Sequence, residues 1–79
     1  MNRNEILEKL TDIFRDVFDE EDMTITEETS AKDIEDWDSL MHISLIMAIE
    51  NTFNMKFAMD EVVNLKNVGG IVDILARKG

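Results

Sequence analysis

Apolar residues recur three and four positions apart near the start of this 79-residue chain, and few structures other than a helix accommodate that spacing. The pattern predicts a helix from about Asn4 to Phe18 with one apolar stripe, made up of Ile6, Leu7, Leu10, Ile13, Phe14, Val17 and Phe18. A stripe of this kind is stable only when another element covers it. The rest of the chain therefore has to supply the covering elements.

A second apolar segment follows Trp37, and its residues occupy two faces rather than one. Asp38 and Ser39 are both good N-cap residues, so a second helix is predicted from there to about Phe53. One face carries His42, Leu45, Ile46, Ile49 and Phe53, and the other carries Leu40, Ile43 and Met47. One helix of so small a domain cannot readily bury both faces. We expect the first face, with a buried or half-buried His42, inside the bundle and the second at least partly open to a partner.

The stretch from Asp19 to Trp37 between these helices loses the helical period. This stretch begins with acidic residues. Its scattered threonines and serines disfavour a helix, because their side chains can form hydrogen bonds with the backbone. We predict a long acidic loop whose apolar anchors are Ile25, Ile34 and Trp37. A loop of this length is more often functional or flexible than idle.

Two further helical segments are predicted after the second helix. The first, from Asp60 to Leu65, is long enough for a turn or two, and the second begins at Asn67 and ends with two cations, which suit a helix C-terminus. The sequence contains no proline, no internal repeat and no change in composition that would mark a domain boundary. The prediction is one all-α domain over residues 1–79, a small four-helix bundle of three longer helices and one short helix.

The composition excludes several functions. Eighteen acidic residues against eight basic ones give a net charge of −10, which repels nucleic-acid backbones and anionic membrane surfaces and attracts proteins with basic patches. We therefore expect protein partners, no nucleic acid and no membrane. The N-terminal residues lack the apolar core of a signal peptide, and no apolar run is long enough to cross a bilayer, so we expect a cytoplasmic protein. A monomer with transient partners is expected.

The sequence also lacks the residues from which most catalytic and metal sites are built. It has no cysteine, and its one histidine, His42, cannot form a multi-histidine site. Calcium loops counted from Asp19 or from Asp33 place the wrong residues at the glycine and glutamate positions. We expect no metal site, no catalytic residue and no enzymatic activity.

Ser39 is the residue most suited to a chemical role. A serine hydroxyl is a weak nucleophile unless a base or a metal activates it, and the sequence shows neither in a recognisable arrangement. Modification of the serine fits better. A phosphate ester at the start of the second helix would be stabilised by unpaired backbone N–H groups and by the helix dipole.

The sequence Asp38-Ser39-Leu40 and the order of elements around it resemble the acyl carrier proteins. In that family the second helix begins with Asp-Ser-Leu, and its serine carries 4′-phosphopantetheine. The resemblance extends over nearly the whole chain, from the amphipathic first helix and the acidic loop to the run Ile43 to Phe53 and the closing helix. It implies a carrier that holds acyl groups as thioesters on this arm and needs no active site of its own.

Residue by residue, the resemblance implies that Ser39 is the phosphopantetheine attachment site and that a phosphopantetheinyl transferase is a partner. Asp38 would orient that enzyme or the phosphate. The positions expected to face acyl-loading and acyl-transferring enzymes are Leu40, Ile43, Met47 and Glu50. The six methionines suit a soft interior, and we hypothesise that an acyl chain is sheltered between the helices.

The sequence departs from carriers of primary fatty acid synthesis on the second helix. Met41 and Ser44 stand where those carriers usually have acidic residues, and Trp37 replaces a small or aliphatic residue. These differences indicate a free-standing carrier for a dedicated pathway, such as lipid, polyketide or surface-glycan assembly. Two alternatives stay open: a D-alanyl or aminoacyl carrier protein, and an unmodified helical protein-interaction module that uses its exposed face only for docking.

Overall fold

Four α-helices joined by loops are present in the part of the chain that the structure describes. The computed structural model describes residues 2–65 and 67–78, and within these residues the helices are α1, Arg3–Val17; α2, Ser39–Phe53; α3, Met59–Asn64; and α4, Val68–Lys78. The predicted all-α four-helix bundle, with three longer helices and one short helix, is therefore confirmed. No predicted helix end differs from the observed one by more than about one residue, which is within the usual uncertainty of helix boundaries.

Local polar contacts fix both ends of α1. Asn2 is the N-cap, and its side-chain oxygen accepts a hydrogen bond from the N–H of Glu5 at 2.8 Å. After the last turn, Asp19 adopts a left-handed backbone conformation with a φ of 54°. Because aspartate tolerates this conformation better than most residues, the chain leaves the helix there and enters the acidic loop.

The core lies between α1, α2 and α4. Both α2 and α4 pack on α1, and all three contribute side chains that water scarcely reaches; the most deeply buried are Ile6, Leu10, Phe14, Leu45, Ile49, Val68, Ile71, Val72 and Leu75. Burial of apolar surface is the main favourable contribution to folding. The apolar stripe predicted for α1 and the inner face predicted for α2 thus form the interior of the bundle.

The predicted apolar residues anchor the long loop to this core. Ile25 and Trp37 are buried, and Ile34 is half-buried against the same cluster. The Trp37 ring meets the ring of Phe14 edge-on, with 5.3 Å between the ring centroids, a geometry that aromatic pairs prefer. The loop therefore ends at a fixed point immediately before α2.

The middle of the loop is joined to the start of α4 by backbone hydrogen bonds. The N–H groups of Val68 and Gly69 donate to the carbonyl oxygens of Thr29 and Glu27, each at 2.8 Å. A β-carbon at position 69 would lie 2.8 Å from the Glu27 oxygen, closer than such atoms approach, so glycine permits this contact. The first N–H groups of a helix have no partner within the helix, and the loop supplies one for two of them.

A charged cluster lies beside this junction. The guanidinium of Arg3 donates to both carboxylate oxygens of Glu27 and, at 2.7 Å, to the carboxylate of Asp73 on α4. The hydrogen bond from Arg3 lowers the pKa of Glu27, and the two carboxylates raise the pKa of Arg3. The cluster links the N-terminus of α1, the loop and α4 on the surface of the bundle.

Candidate functional site

Ser39 is the first residue of α2, and Asp38 is its N-cap. The Asp38 carboxylate accepts a hydrogen bond from the N–H of Met41 at 2.9 Å, and the Asp38 carbonyl accepts one from the N–H of His42 at 2.8 Å. Both Asp38 and Ser39 were candidate caps in the sequence, and the structure assigns the role to Asp38. The side chain of Ser39 is exposed. Its hydroxyl is therefore available for modification without loss of the helix cap.

The backbone around Ser39 suits an anion. Ser39 lies in the first turn of α2, where N–H groups point out of the helix and the positive end of the helix dipole is located. The helix itself places no acidic residue in this turn. The nearby carboxylate of Asp38 cannot attract a phosphate. Its contribution is geometric, because it fixes the residue at which the helix begins.

A cleft of about 800 Å³ opens beside Ser39, between α2 and α3. Asp38 and Ser39 line it, and most of its remaining wall is apolar. The side chains that α2 and α3 contribute to that wall include Ile43, Ile46, Met47, Met59, Val62 and Val63. The hypothesis that an acyl chain lies between helices requires such a space, and the structure has one that begins at the candidate attachment residue.

Large apolar side chains are exposed around the cleft. On α2, Leu40, Ile43 and Met47 retain 78%, 57% and 59% of their accessible surface. The sequence-based expectation that this face of α2 is open to a partner is consistent with these exposures. The structure adds Met59 and Val63 of α3, which retain 78% and 69%. We refer to these five residues as the α2–α3 face.

The sequence did not indicate that α3 completes this face. Met59 and Val63 are four residues apart, which places them on one side of a helix, but a six-residue segment gives too short a pattern to show which side is exposed. Glu61 caps this helix by accepting a hydrogen bond from the N–H of Ala58 at 2.8 Å. That bond, together with the ion pair to Lys78, lowers the pKa of Glu61.

Glu50, predicted as a partner contact, makes an internal contact. It is half-buried, and its Oε2 accepts a hydrogen bond from the backbone N–H of Phe57 at 2.7 Å. This bond holds the turn between α2 and α3 against α2. Glu50 also lines the cleft. A role in partner binding stays a prediction, and the structural role is one that the sequence did not reveal.

His42 is half-buried, as expected from its position on the inner face of α2. Its Nδ1 lies 3.0 Å from Nε1 of Trp37, and its Nε2 lies 2.9 Å from the carbonyl oxygen of Val62. The imidazole thus bridges the end of the loop and α3. Neither contact could be read from the sequence, because Val62 is distant along the chain and contributes only its backbone.

Comparisons with known proteins identify the family. The family profile described as a phosphopantetheine attachment site matches residues 8–75. The acyl carrier protein of Acidothermus cellulolyticus is 36% identical over 76 residues, which covers 96% of this chain and 90% of that protein. The acyl carrier protein of Thermosynechococcus vestitus is 33% identical over 78 residues, which covers 99% of this chain and 96% of that protein. The chain belongs to the acyl carrier protein family.

A solved structure of an acyl carrier protein shows the same fold. The solution structure of the holo acyl carrier protein from Geobacter metallireducens superimposes with a TM-score of 0.84 at 49% identity, covering 91% of this chain and 83% of that one. Acyl carrier proteins are carriers rather than catalysts, and their cofactor is phosphopantetheine. Family membership also implies contact with a phosphopantetheinyl transferase and with other enzymes.

The described part of this acyl carrier protein gives no sign of two other kinds of site. Among residues 2–65 and 67–78, no three histidine, cysteine or acidic side chains are grouped so that they could hold a metal ion. No helix in the same residues has the length and apolar character that crossing a bilayer requires.

Proposed function

We propose that this chain carries acyl groups as thioesters on a 4′-phosphopantetheine arm esterified to Ser39, and that it delivers them to enzymes of a dedicated lipid, polyketide or surface-glycan pathway. The observation that supports this most directly is the position of Ser39. It is exposed at the start of α2 and opens onto an apolar cleft. The arm supplies a thiol, which a chain without cysteine does not have.

Attachment requires only an accessible hydroxyl from this chain. The Oγ of Ser39 would lose its proton and attack the phosphorus bonded to the pantetheine portion of coenzyme A. The phosphoanhydride bond breaks, and 3′,5′-adenosine bisphosphate leaves. The base and the metal that assist this step belong to the transferase, which explains why no base is needed beside Ser39.

Asp38 supports this step through the helix rather than through charge. Because its carboxylate is bonded to the N–H of Met41, it determines that α2 begins at Ser39 and not one residue later. The hydroxyl then lies in the first helical turn, where the helix dipole favours the phosphate ester. Asp38 would therefore orient the modified residue, and its orientation of the transferase or the phosphate stays a prediction.

The α2–α3 face fits partner enzymes whose contact surface is apolar at its centre. It has five large exposed apolar side chains. The one acidic residue of α2, Glu50, accepts a hydrogen bond from the backbone N–H of Phe57. The net charge of −10 is carried mainly elsewhere and would steer partners with basic patches before docking. Since α2 lacks a row of carboxylates, we favour enzymes of a dedicated pathway over those of general fatty acid synthesis. The same charge opposes self-association and supports a monomer.

The cleft favours an acyl cargo over an aminoacyl one. A D-alanyl group carries an ammonium, and an apolar wall offers a charged group nothing to replace its water. Hydrocarbon would be stabilised there by about 25 cal/mol for each Å² removed from water. The unmodified interaction module is disfavoured by the family profile, which describes an attachment site.

Mass spectrometry of the intact chain tests the attachment site. The purified chain is incubated with coenzyme A and a phosphopantetheinyl transferase of broad specificity. We expect the wild type and Ser44→Ala each to gain the mass of one phosphopantetheine, and Ser39→Ala to gain none. Ser44 is a matched control because it is another exposed serine on α2. Equal modification of Ser39→Ala and the wild type would refute the assignment of Ser39.

A loading assay tests the cargo. The modified chain is offered fatty acyl, malonyl and aminoacyl donors with their transferring enzymes, and thioester formation is measured by mass. Loading with fatty acyl or malonyl groups alone is the expected result. Loading with aminoacyl groups alone would instead identify an aminoacyl carrier, without affecting the conclusion about Ser39.

A further inference from the structure

α3 is the wall of the cleft that the rest of the bundle holds least firmly. Its six residues, all of which the structure describes, include no fully buried side chain. Toward α4, Glu61 forms an ion pair with Lys78 at 3.3 Å and a longer one with Arg77 at 4.0 Å. Ion pairs of this solvent-accessible kind contribute little to stability. The position of α3 therefore depends on its contacts on the cleft side.

The contact on that side with the most defined geometry is the hydrogen bond to His42. Nε2 of His42 lies 2.9 Å from the carbonyl oxygen of Val62, near the end of α3. The same carbonyl also accepts a hydrogen bond from the N–H of Leu65, directly after the helix, at the longer distance of 3.4 Å. The imidazole makes the shorter contact, and it does so from α2, across the cleft.

The second nitrogen of His42 determines which tautomer makes this bond. Nδ1 lies 3.0 Å from Nε1 of Trp37, and an indole N–H can only donate a hydrogen bond. Nδ1 must then be the acceptor, which places the single proton of the neutral imidazole on Nε2. The carbonyl of Val62 can only accept, so both bonds are satisfied by this one form.

Trp37 gives the imidazole a fixed orientation. The indole is 6% exposed and contacts the rings of Phe14 and Phe18, at centroid distances of 5.3 and 6.5 Å. The indole and imidazole planes are only 23° apart and their centroids are 6.0 Å apart, so the two rings meet edge to edge through this hydrogen bond. Because close packing holds the indole in place, the imidazole that is hydrogen-bonded to it can hold α3 in a defined position.

We propose that His42 is a positioning residue that holds α3 across the cleft and so sets how often the cleft opens beside Ser39. His42 lines the cleft itself, one helical turn after Ser39. Where it concerns an acyl chain, the proposal rests on the proposed function. The positioning of α3 does not depend on that function and can be measured on the unmodified chain.

Nuclear magnetic resonance tests the positioning of α3. In the wild type at pH 8, the imidazole nitrogen shifts should show the proton on Nε2. In His42→Leu, which keeps apolar bulk and loses both bonds, amide hydrogen exchange in α3 should rise about fivefold, the equivalent of one net hydrogen bond, while exchange in α1 and α4 stays unchanged. The indole N–H resonance of Trp37 should move to a position typical of an unbonded group.

Ile13→Val is the matched control, because it removes one methylene from the core at a residue of α1 that does not line the cleft, and it should weaken all helices together. A selective effect of His42→Leu on α3 supports the proposal. Exchange that rises equally in all helices, or does not rise in α3, overturns it. A proton found on Nδ1 in the wild type also overturns it, and that measurement needs no variant.

Cleavage of an acyl thioester by hydroxylamine extends the test to the loaded carrier. The wild type should react more slowly than free acyl-pantetheine, and His42→Leu should react about fivefold faster than the wild type if opening of α3 limits access. Protection in the wild type that His42→Leu leaves unchanged would overturn the role of His42 in shielding and leave the carrier function intact. If the wild-type thioester is cleaved as fast as free acyl-pantetheine, the hypothesis that the bundle shelters the acyl chain is refuted. Hydrogen exchange in α3 then decides the role of His42.

Discussion

The α1–α4 side of the bundle hides its apolar side chains from water, whereas the α2–α3 side leaves several large ones exposed. Leu10 and Phe14 of α1 and Ile71 of α4 are completely buried, and Leu40 of α2 and Met59 of α3 each retain 78% of their accessible surface. Full burial of a side chain of this size is worth about 1.5–3 kcal/mol. The contrast separates two tasks, because one side stabilises the fold and the other is left open for contact.

Most of the negative charge lies outside both sides, in the loop. Ten of the 20 residues from Asp19 to Asp38 are acidic, while α2 contains only Glu50. An exposed apolar patch on a neutral protein promotes association with other copies. A net charge of −10 opposes it. The chain can therefore expose an apolar face and still favour partners of the opposite charge.

Phe14→Ala should produce the largest loss of stability, since Phe14 is completely buried at the centre of the α1 stripe. Removal of such a side chain leaves a cavity and costs about 3–5 kcal/mol of unfolding free energy. Urea denaturation followed by circular dichroism measures the change. A loss below about 1 kcal/mol would place Phe14 with ordinary surface residues and would contradict the division between the two sides.

The substitutions Asp38→Ala and Ser39→Ala separate stability from chemistry within α2. Asp38→Ala removes the N-cap and should cost about 1 kcal/mol, whereas Ser39→Ala removes no capping bond and should change stability by less than about 0.5 kcal/mol. For modification, the expected order is reversed. Ser39→Ala should abolish it, and Asp38→Ala should only slow it. Equal unfolding losses would show that Ser39 shares the capping role.

Acid should weaken the charged cluster that joins the loop to α4. The Arg3 hydrogen bond holds the pKa of Glu27 below its ordinary value of 4.5, so the stabilisation is present above that value and is lost as the pH falls through the folded-state pKa. Denaturation midpoints at pH 7 and pH 3 measure this loss of stabilisation. Glu27→Gln should be less stable than the wild type at pH 7, and the difference between them should be smaller at pH 3. A constant difference between them would contradict the ionic origin of the effect.

Ile43→Ala should have little effect on stability and a clear effect on binding. The side chain is 57% exposed, so its removal should change the unfolding free energy by no more than about 0.5 kcal/mol. If the α2–α3 face binds the transferase, the KM of that enzyme for the carrier should rise while kcat stays the same. An unchanged KM would show that Ile43 does not contribute to the binding surface. Leu45→Ala is the control for a general loss of folding, because it alters the buried face of the same helix.

Periodicity was sufficient to predict the helices. The apolar stripe of α1 is regular over its whole length, so it predicted which face of the helix is buried. The apolar residues of α2 fall into two rows, and one of them is buried while the other, which includes Leu40 and Ile43, is exposed. The anchors Ile25 and Trp37 were predictable because apolar residues in an acidic loop have few other places to lie. These predictions depend on apolar burial alone, which the sequence shows directly.

Contacts that depend on backbone groups could not be predicted in the same way. The carbonyl of Val62 accepts from His42, and the N–H of Phe57 donates to Glu50, but every residue has these backbone groups, so no sequence pattern marks the ones that are used. The choice between Asp38 and Ser39 as N-cap was open for a related reason. Both residue types cap well, and only the three-dimensional structure decides which residue begins the helix.

The junction between the loop and α4 divides the loop into a part of fixed length and a part that can be extended. The carbonyl oxygens of Thr29 and Glu27 accept hydrogen bonds from the backbone of α4. An added residue between Glu27 and Thr29 would therefore displace that helix. Glu21 and Asp22 are exposed in the acidic turn before it. Neither residue lines the cleft or belongs to the α2–α3 face. We therefore expect a peptide tag inserted between Glu21 and Asp22 to leave both unobstructed, with the loss of one turn hydrogen bond, from the N–H of Met23 to the carbonyl oxygen of Glu20.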